Sequence, residues 1–362
     1  MDERKEENKL TTLQELIAAV PGPDEEARQA AYERWQAVAK PLGALGLLED
    51  TVCRMAAAAG TADVRIDSRA LAVFCADNGV LAEGVAQTDH TITTLVTRAL
   101  ALGHSTVCHM ARHARCRVVP VDMGVLDFDG MPGVLNRRIR NGTGNIAREP
   151  AMTRAQCEQA ILAGATLAMD LHREGTDILL TGEMGIGNTT TTSAVTAVLL
   201  DAPPAEVTGR GAGLSGEGLA RKIQTIETAI ARSHADPADP VEVLAQLGGL
   251  DLAALCGAFL GAAACRMPVV IDGFISAAAA LCAVRLCPKA QAALVASHVS
   301  DEPASRMVLE ALGLEPLITA KMHLGEGSGA VALLPMLDMA LEVYHSGLTF
   351  GQFGMDAYTP QQ

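Results

Sequence analysis

The chain has 362 residues, a length that suits two domains or one large α/β unit, and 49% of them are hydrophobic, enough for a buried core. Its 28 basic and 42 acidic residues leave a formal net charge of −14, the basic residues are scattered, and only 3% of residues are aromatic. Such a chain repels nucleic-acid backbones and anionic lipid surfaces, so neither is expected as a partner.

The N-terminal residues are charged, and no apolar run of signal-peptide length follows them. The most membrane-like region is 250–287, and its longest uncharged run, residues 252–265, is shorter than the about 20 residues of a membrane span, so a buried helix is predicted there instead. The nine cysteines are scattered without a C-x-x-C pair, which is typical of reduced thiols in apolar surroundings. We therefore expect a cytoplasmic protein that does not bind a membrane.

Two helices are predicted near the N-terminus, and a different pattern begins near residue 70. Thr12 and Glu15 have capping-box spacing at the start of the first helix, and a second helical pattern covers about 24–39. From residue 70, short apolar runs without polar alternation are separated by helical patterns, one of which begins at Thr153 and reaches about His172. Continuous apolar runs predict parallel strands covered on both faces. The expected strands lie at 70–75, 117–121, 177–180, 268–271 and 292–295.

These patterns predict an α/β fold with a Rossmann-like, mainly parallel sheet flanked by helices. The helical patterns at the two chain ends are expected to pack together, because chain termini often lie close in space. This gives a small helical domain from residues 1–65 and 335–362, and a large α/β domain from residues 66–334.

Ligands of such sheets bind beyond the carboxyl ends of the strands, so the residues after each apolar run are candidates for a site. After the third run, residues 182–192 (GEMGIGNTTTT) lead into a helical pattern. Gly185 and Gly187 free the backbone to form an anion cradle with the helix N-terminus, although a tight turn without a ligand is the alternative. No Gly-Lys-Ser/Thr occurs, so the segment is not a P-loop. Glu183 favours a ligand, because a carboxylate here would face ribose hydroxyls or a cationic ring.

Two further glycine-rich segments are candidates. Residues 211–216 (GAGLSG) match G-x-G-x-x-G, but no strand pattern precedes them, so the dinucleotide interpretation fails. With Arg210, Arg221 and Lys222 nearby, the segment is either a backbone-lined phosphate loop or a flexible surface loop. In residues 324–329 (LGEGSG), Glu326 lies between glycines, where it is either a surface acid or, if shielded, a general base.

A metal site and a hydrolase triad are not indicated. The histidines show no convincing ligand spacing, since His109 and His113 fit the wet face of a helix, and no G-x-S-x-G elbow occurs. We expect neither a metal nor a cofactor.

Six segments form a collinear set along nearly the whole chain, namely 40–49 (KPLGALGLLE), 141–153 (NGTGNIAREPAMT), 182–191 (GEMGIGNTTT), 209–214 (GRGAGL), 270–276 (VIDGFIS) and 324–329 (LGEGSG). In this order, they resemble the nicotinate-nucleotide–dimethylbenzimidazole phosphoribosyltransferase family of cobamide lower-ligand activation. The resemblance implies transfer of 5-phosphoribosyl from nicotinate mononucleotide to a benzimidazole-type base, with inversion at the anomeric carbon. It also implies a homodimer and the fold predicted above.

The resemblance also assigns roles to individual residues. Glu326 matches the family's catalytic glutamate, and Glu183 matches a second acid, which we assign to ribose or water positioning. Lys222 matches a phosphate-site lysine. The remaining nucleotide-binding residues are Gly185, Gly187, Asn188, Thr189, Gly211, Asp272 and Ser300, and the base-binding residues are Ala86, His90, Met184 and Leu324.

The chain departs from the family pattern mainly where the base would bind. Ala44 replaces a common Ser, Asn78 replaces a frequent His, and residues 85–93 (VAQTDHTIT) differ where Ser and Gln side chains are common. The acceptor is therefore 5,6-dimethylbenzimidazole or another base, such as another benzimidazole, adenine or a phenolic. A non-catalytic subunit that activates a partner chain is the alternative of a different class, although such a subunit would have no need of Glu326.

Overall fold

A computed structural model describes residues 11–358, and a parallel six-stranded sheet lies at its centre. The strand order is β3-β2-β1-β4-β5-β6, so the order reverses between β1 and β4, and every pair in the sheet is parallel. The α/β prediction is confirmed, and each expected strand is present. The strands of this sheet are β1 (Arg69–Ala76), β2 (Arg117–Gly124), β3 (Leu135–Asn136), β4 (Ile178–Met184), β5 (Val269–Ile271) and β6 (Leu294–Ala296), and a parallel pair beside it comprises β7 (His298–Val299) and β8 (Ile318–Thr319).

Strand β1 shows why the apolar runs lack alternation. All eight of its residues are buried. Ala72 and Phe74 pack into the apolar cluster on one face of the sheet, and Leu71 and Val73 pack into the cluster on the other face. Because helices cover both faces, both sets of side chains have to be apolar.

Helices form both covering layers, and their starts follow the predicted caps. Thr12 makes the capping box that its spacing to Glu15 predicts, and Thr153, where a helix is expected to begin, makes a capping box as well. The α-helices are α1 (Leu13–Ala19), α2 (Glu25–Ala37), α3 (Leu47–Ala59), α4 (Thr91–Ala101), α5 (Thr106–His113), α6 (Arg154–Arg173), α7 (Asn188–Leu200), α8 (Pro204–Val207), α9 (Gly216–Ser233), α10 (Pro240–Leu247), α11 (Leu250–Ala264), α12 (Phe274–Leu286), α13 (Ser305–Ala311) and α14 (Ser328–Ser346).

The chain contains 34 glycines, and the packing of α11 on α6 shows one reason for them. Nearly the whole of α11 is buried, and its glycines let the two backbones touch. A Cβ at Gly257 would lie 1.8 Å from the carbonyl oxygen of Ile161, and a Cβ at Gly164 would lie 1.9 Å from that of Ala254. In the described part of the chain, no helix is both long and apolar enough to cross a membrane.

The two chain ends contact each other. The rings of Trp35 in α2 and Tyr344 in α14 lie 5.0 Å apart, and Val38 forms an isolated bridge with Thr349. Helix α14 runs continuously through Pro335, the expected domain boundary, and its apolar side shares a core with the sheet. The division into 1–65 plus 335–362 and 66–334 stays a prediction, and residues 1–10 and 359–362 lie outside the described range.

Candidate active site

A cleft of about 170 Å³ opens at the carboxyl edge of the sheet, beside the point where the strand order reverses. The ends of β4, β5 and β6 form its floor, and loops near residues 85–88, 210–214 and 323–325 form its rim. The cleft brings together most of the sequence-predicted site residues, namely Glu183, Met184, Gly185, Gly187, Asn188, Thr189, Gly211, Asp272, Ser300, Ala86 and Leu324.

One wall of the cleft is acidic and buried. The amide nitrogen of Asn188, at the start of α7, donates hydrogen bonds to the carboxylates of Glu183 and Asp251. Burial and the charge of Asp251 raise the pKa of Glu183 to about 8, although the hydrogen bond from Asn188 opposes the shift. Burial raises the pKa of Asp251 to about 6. At neutral pH, Glu183 is therefore mostly protonated and can donate a hydrogen bond.

Asp272 lies at the end of β5 and anchors the start of α14. Its carboxylate accepts hydrogen bonds from the backbone N–H groups of Gly327 (3.2 Å), Gly329 (2.7 Å) and Ala330 (3.1 Å). Burial raises the pKa of Asp272 to about 7 against the opposing effect of these hydrogen bonds. Asp272 therefore fixes the loop that carries Glu326.

The opposite corner of the cleft has a buried ammonium group behind its lining. Lys222 in α9 is fully buried, and its Nζ donates to Thr189 Oγ1 at 2.8 Å and to the carbonyl oxygen of Gly209 at 3.1 Å. An ammonium has three N–H bonds, so one has no partner among the described residues. Thr189 and Gly211, which line the cleft, lie beside the ammonium, and a ligand reaches it only if this lining shifts. Burial lowers the pKa of Lys222 to about 8. An anion placed here would restore the ordinary preference for the charged form.

Ser300 and Glu302 complete this corner. The hydroxyl oxygen of Ser300 is buried without a hydrogen-bond partner among the described residues. The same holds for one carboxylate oxygen of Glu302, which packs against Gly209. Burial raises the pKa of Glu302, while the charge of Lys222 lowers it. Buried polar atoms without partners are uncommon and indicate that a ligand completes the site.

Glu326 lies behind the rim of the cleft and does not line it in this structure. It is 8% exposed, and its carboxylate accepts a hydrogen bond of 3.3 Å from the N–H of Val107 in α5. Its φ of +59° is unusual for a non-glycine residue. The adjacent Gly325 has to be a glycine, because a Cβ there would lie 2.5 Å from an oxygen of Glu183. The carboxylate of Glu183 therefore packs against the residue that directly precedes Glu326.

The expected base-binding residues are divided by the structure. Ala86, Met184 and Leu324 line the cleft. His90 does not, because its Nε2 pairs with Asp127 at 3.0 Å on the surface before α4.

Three residues of the site were not among the sequence candidates. Asp251, behind the acidic wall, is an acid at the start of an apolar helix, where it is equally typical of a helix N-terminus. His298 lies in the segment 297–300 after the fifth apolar run, which the carboxyl-edge rule marks for inspection although no role was assigned to this histidine, and Glu302 lies two residues beyond that segment. Within residues 11–358, no cluster of three or more possible metal ligands occurs.

Comparison with known proteins identifies close relatives. Residues 20–354 match a protein-family model described as phosphoribosyltransferase. A nicotinate-nucleotide–dimethylbenzimidazole phosphoribosyltransferase from Acetivibrio thermocellus is 44% identical over 336 residues, which cover 93% of this chain and 96% of the relative. A protein of the same name from Ruminiclostridium cellulolyticum is 43% identical over 349 residues, with 96% and 99% covered. The crystal structure of CobT from Thermus thermophilus matches with a TM-score of 0.87 and 40% identity, over 92% of this chain and 100% of that chain.

Proposed function

The chain belongs to the nicotinate-nucleotide–dimethylbenzimidazole phosphoribosyltransferase family, and we propose that it transfers 5-phosphoribosyl from nicotinate mononucleotide to a lower-ligand base. The products are nicotinate and, with 5,6-dimethylbenzimidazole as acceptor, α-ribazole 5′-phosphate for the cobamide nucleotide loop. The observation that carries the proposal is the buried ammonium of Lys222, which lies directly behind Thr189 in the lining of the cleft that also holds the acidic wall.

The two sides of the cleft suit the two ends of the nucleotide. The phosphate would bind Lys222, Thr189 and the backbone around Gly211, with the hydroxyl of Ser300 as a further donor. The cationic pyridinium ring and the developing positive charge on the sugar would be stabilised by Glu183 and Asp272 in their ionised forms. A cationic ligand favours ionisation of these buried acids, so their raised pKa values would fall when the nucleotide binds.

The reaction needs one general base. The pyridinium leaves as a neutral ring and requires no acid, whereas the attacking base has to lose its N–H proton. We assign this role to Glu326, whose carboxylate has to exchange the N–H of Val107 for the substrate. Glu183 then positions the ribose or a water molecule. Attack on the face opposite the leaving ring converts the β-nucleotide into an α-ribotide.

A panel of bases tests the proposal. Nicotinate mononucleotide is supplied with 5,6-dimethylbenzimidazole, other benzimidazoles, adenine and phenolics, and the products are identified by mass spectrometry. We expect a ribotide and an equal amount of nicotinate with a benzimidazole. A product only with adenine or a phenolic would indicate a family member with another acceptor, and no product with any base would favour a non-catalytic subunit.

We further propose that the protein acts in the cytoplasm as a homodimer. The nine free cysteines support the reducing cytoplasm, and the resemblance to the family supports the homodimer. Light scattering coupled to size-exclusion chromatography measures the assembly directly, and a monomer mass would exclude the dimer.

A further inference from the structure

His298 is a buried histidine in the wall of the cleft, and the function proposed above gives it no role. It is the first residue of β7, separated from the end of β6 by Ser297 alone, is 3% exposed, and lines the cleft together with Gly273. Space around the ring is restricted, because a Cβ at Gly329 would lie 1.9 Å from its Nδ1. The ring is therefore held in one orientation.

The neighbouring serine determines which ring nitrogen carries the proton. Ser297 Oγ lies 2.7 Å from the carbonyl oxygen of Ile271 and 3.1 Å from that of Asp272. Both of these groups only accept, so the single hydroxyl proton is directed to them. The contact of 3.0 Å between Ser297 Oγ and His298 Nδ1 then requires the proton to lie on Nδ1. Burial also lowers the pKa of His298, which favours the neutral ring.

This assignment leaves Nε2 as a hydrogen-bond acceptor at the cleft. Within residues 11–358, Nε2 has no hydrogen-bond partner, and it is not among the fully buried polar atoms that lack one. It faces Gly273, where a Cβ would lie 3.6 Å from Nε2 and 3.4 Å from Cβ of Ser300. His298 and the unpartnered hydroxyl of Ser300 therefore flank the same glycine.

The acceptor character of Nε2 restricts which ligand groups His298 can bind. A lone pair on neutral nitrogen repels phosphate and carboxylate oxygens and binds only groups that donate a proton. Next to the phosphate corner of a nucleoside monophosphate, the groups that donate are the ribose hydroxyls. We propose that His298 Nε2 accepts a hydrogen bond from a ribose hydroxyl of the nucleotide and thereby selects ribonucleotides over deoxyribonucleotides. For the identity of the nucleotide, this inference depends on the proposed function.

Binding of nicotinate mononucleotide and of its 2′-deoxy and 3′-deoxy analogues tests the inference without turnover. Calorimetry in the absence of acceptor base gives the Kd of each ligand for the wild type, His298→Phe and His298→Gln. We expect one analogue to bind the wild type about 10-fold more weakly than the parent nucleotide. In His298→Phe, which retains a ring without an acceptor, parent and analogue should bind within about 2-fold. His298→Gln, which retains an acceptor oxygen, should recover part of the difference.

The matched control is His323→Phe, which changes the other histidine of the cleft on its exposed rim. This variant should retain the 10-fold difference. If His298→Phe retains it as well, or if the wild type shows none, the inference is wrong. Loss of the difference in His323→Phe alone would assign the hydroxyl to His323 and also overturn it.

A measurement on the wild type covers the case in which the buried variants do not fold. Nitrogen NMR should show His298 with a protonated Nδ1, and its Nε2 resonance should move when the parent nucleotide binds but not with inorganic phosphate. An Nε2 that carries the proton, or that does not respond to the nucleotide, would overturn the inference. If the nucleotide binds with the expected preference but no base gives a product, the proposed function fails while the role of His298 stands.

Discussion

Replacement of Lys222 by methionine should weaken binding of the nucleotide specifically through its phosphate. Methionine has a similar length but neither a charge nor an N–H group. The variant therefore keeps the buried side chain and loses the group that would donate a hydrogen bond to the phosphate. The hydrogen bonds to Thr189 and Gly209 are lost as well, which makes a check of folding necessary.

The magnitude follows from the structure in two ways. Burial lowers the pKa of Lys222 from 10.5 to about 8, so the empty site disfavours the ammonium by about 3 kcal/mol, and a bound phosphate can recover up to that amount. A hydrogen bond to a charged group contributes about 1.5–3 kcal/mol. Both values predict that Kd for nicotinate mononucleotide rises about 10- to 150-fold in Lys222→Met at pH 7.

Calorimetry with nicotinate mononucleotide and nicotinate riboside separates the contribution of the phosphate to binding from that of the rest of the ligand. Nicotinate riboside lacks the phosphate, so its Kd should change little in Lys222→Met. The matched control is Lys289→Met, an exposed lysine outside the cleft, which should change neither Kd. In the wild type, affinity for the nucleotide should fall as the pH rises above about 8, because the empty site then loses its ammonium, and this dependence should be absent in Lys222→Met.

A role of Lys222 in phosphate binding is excluded if Lys222→Met weakens binding of the riboside and of the nucleotide equally while its thermal unfolding matches that of the wild type. In that case Lys222 would support the loop around Gly209 and Thr189 rather than the phosphate.

Three further predictions concern the base, the acidic wall and the core. Glu326→Gln should lower turnover about 10²- to 10⁴-fold with unchanged Kd for the nucleotide, and a loss confined to Glu183→Gln would transfer the role of base to Glu183. Because the pKa of Glu183 is raised from 4.5 to about 8, the unfolded chain releases this proton first, so stability falls as the pH rises from about 5 to 8. The Tm of Glu183→Gln should therefore rise relative to the wild type across that range, and a constant difference would contradict the raised pKa. Gly257→Ala should destabilise by about 1–3 kcal/mol or more in denaturant unfolding, because its Cβ meets the carbonyl oxygen of Ile161, whereas Gly216→Ala, which meets nothing, should not.

The sequence predicted the sheet because its signal is local. A strand covered on both faces has to be apolar at every position, as β1 is, and Thr153 marks the start of α6 through its own side chain. The glycine loops could be predicted for the same reason. The turn before α7 needs a positive φ at Gly187, and glycine adopts it without strain, so the signal is contained in the local sequence.

The contacts between distant segments could not be predicted in this way. Asp251 reaches Glu183 only through Asn188, which is 63 residues away in sequence, and no local pattern distinguishes it from a helix-capping acid. His90 shows the opposite failure. Its sequence neighbours line the cleft, but the turn before α4 directs its side chain to Asp127 on the surface. A pattern places a residue on a loop, and only the tertiary fold decides which side of the loop faces the ligand.

The formal charge of −14 counts every carboxyl group as an anion, but burial keeps some carboxyl groups in the wall of the cleft protonated. With pKa values of about 8 for Glu183 and about 7 for Asp272, the acidic wall of the empty cleft is partly neutral at physiological pH. The wall therefore repels a phosphate at Lys222 less than its composition suggests, and it ionises when a cationic ring enters. Protonation of the same groups would allow a strongly acidic chain to bind a nucleotide through one buried lysine and backbone N–H groups, as proposed above. The net charge is a property of the whole chain, whereas the proposed binding of a mononucleotide would depend on the protonation of a few buried groups.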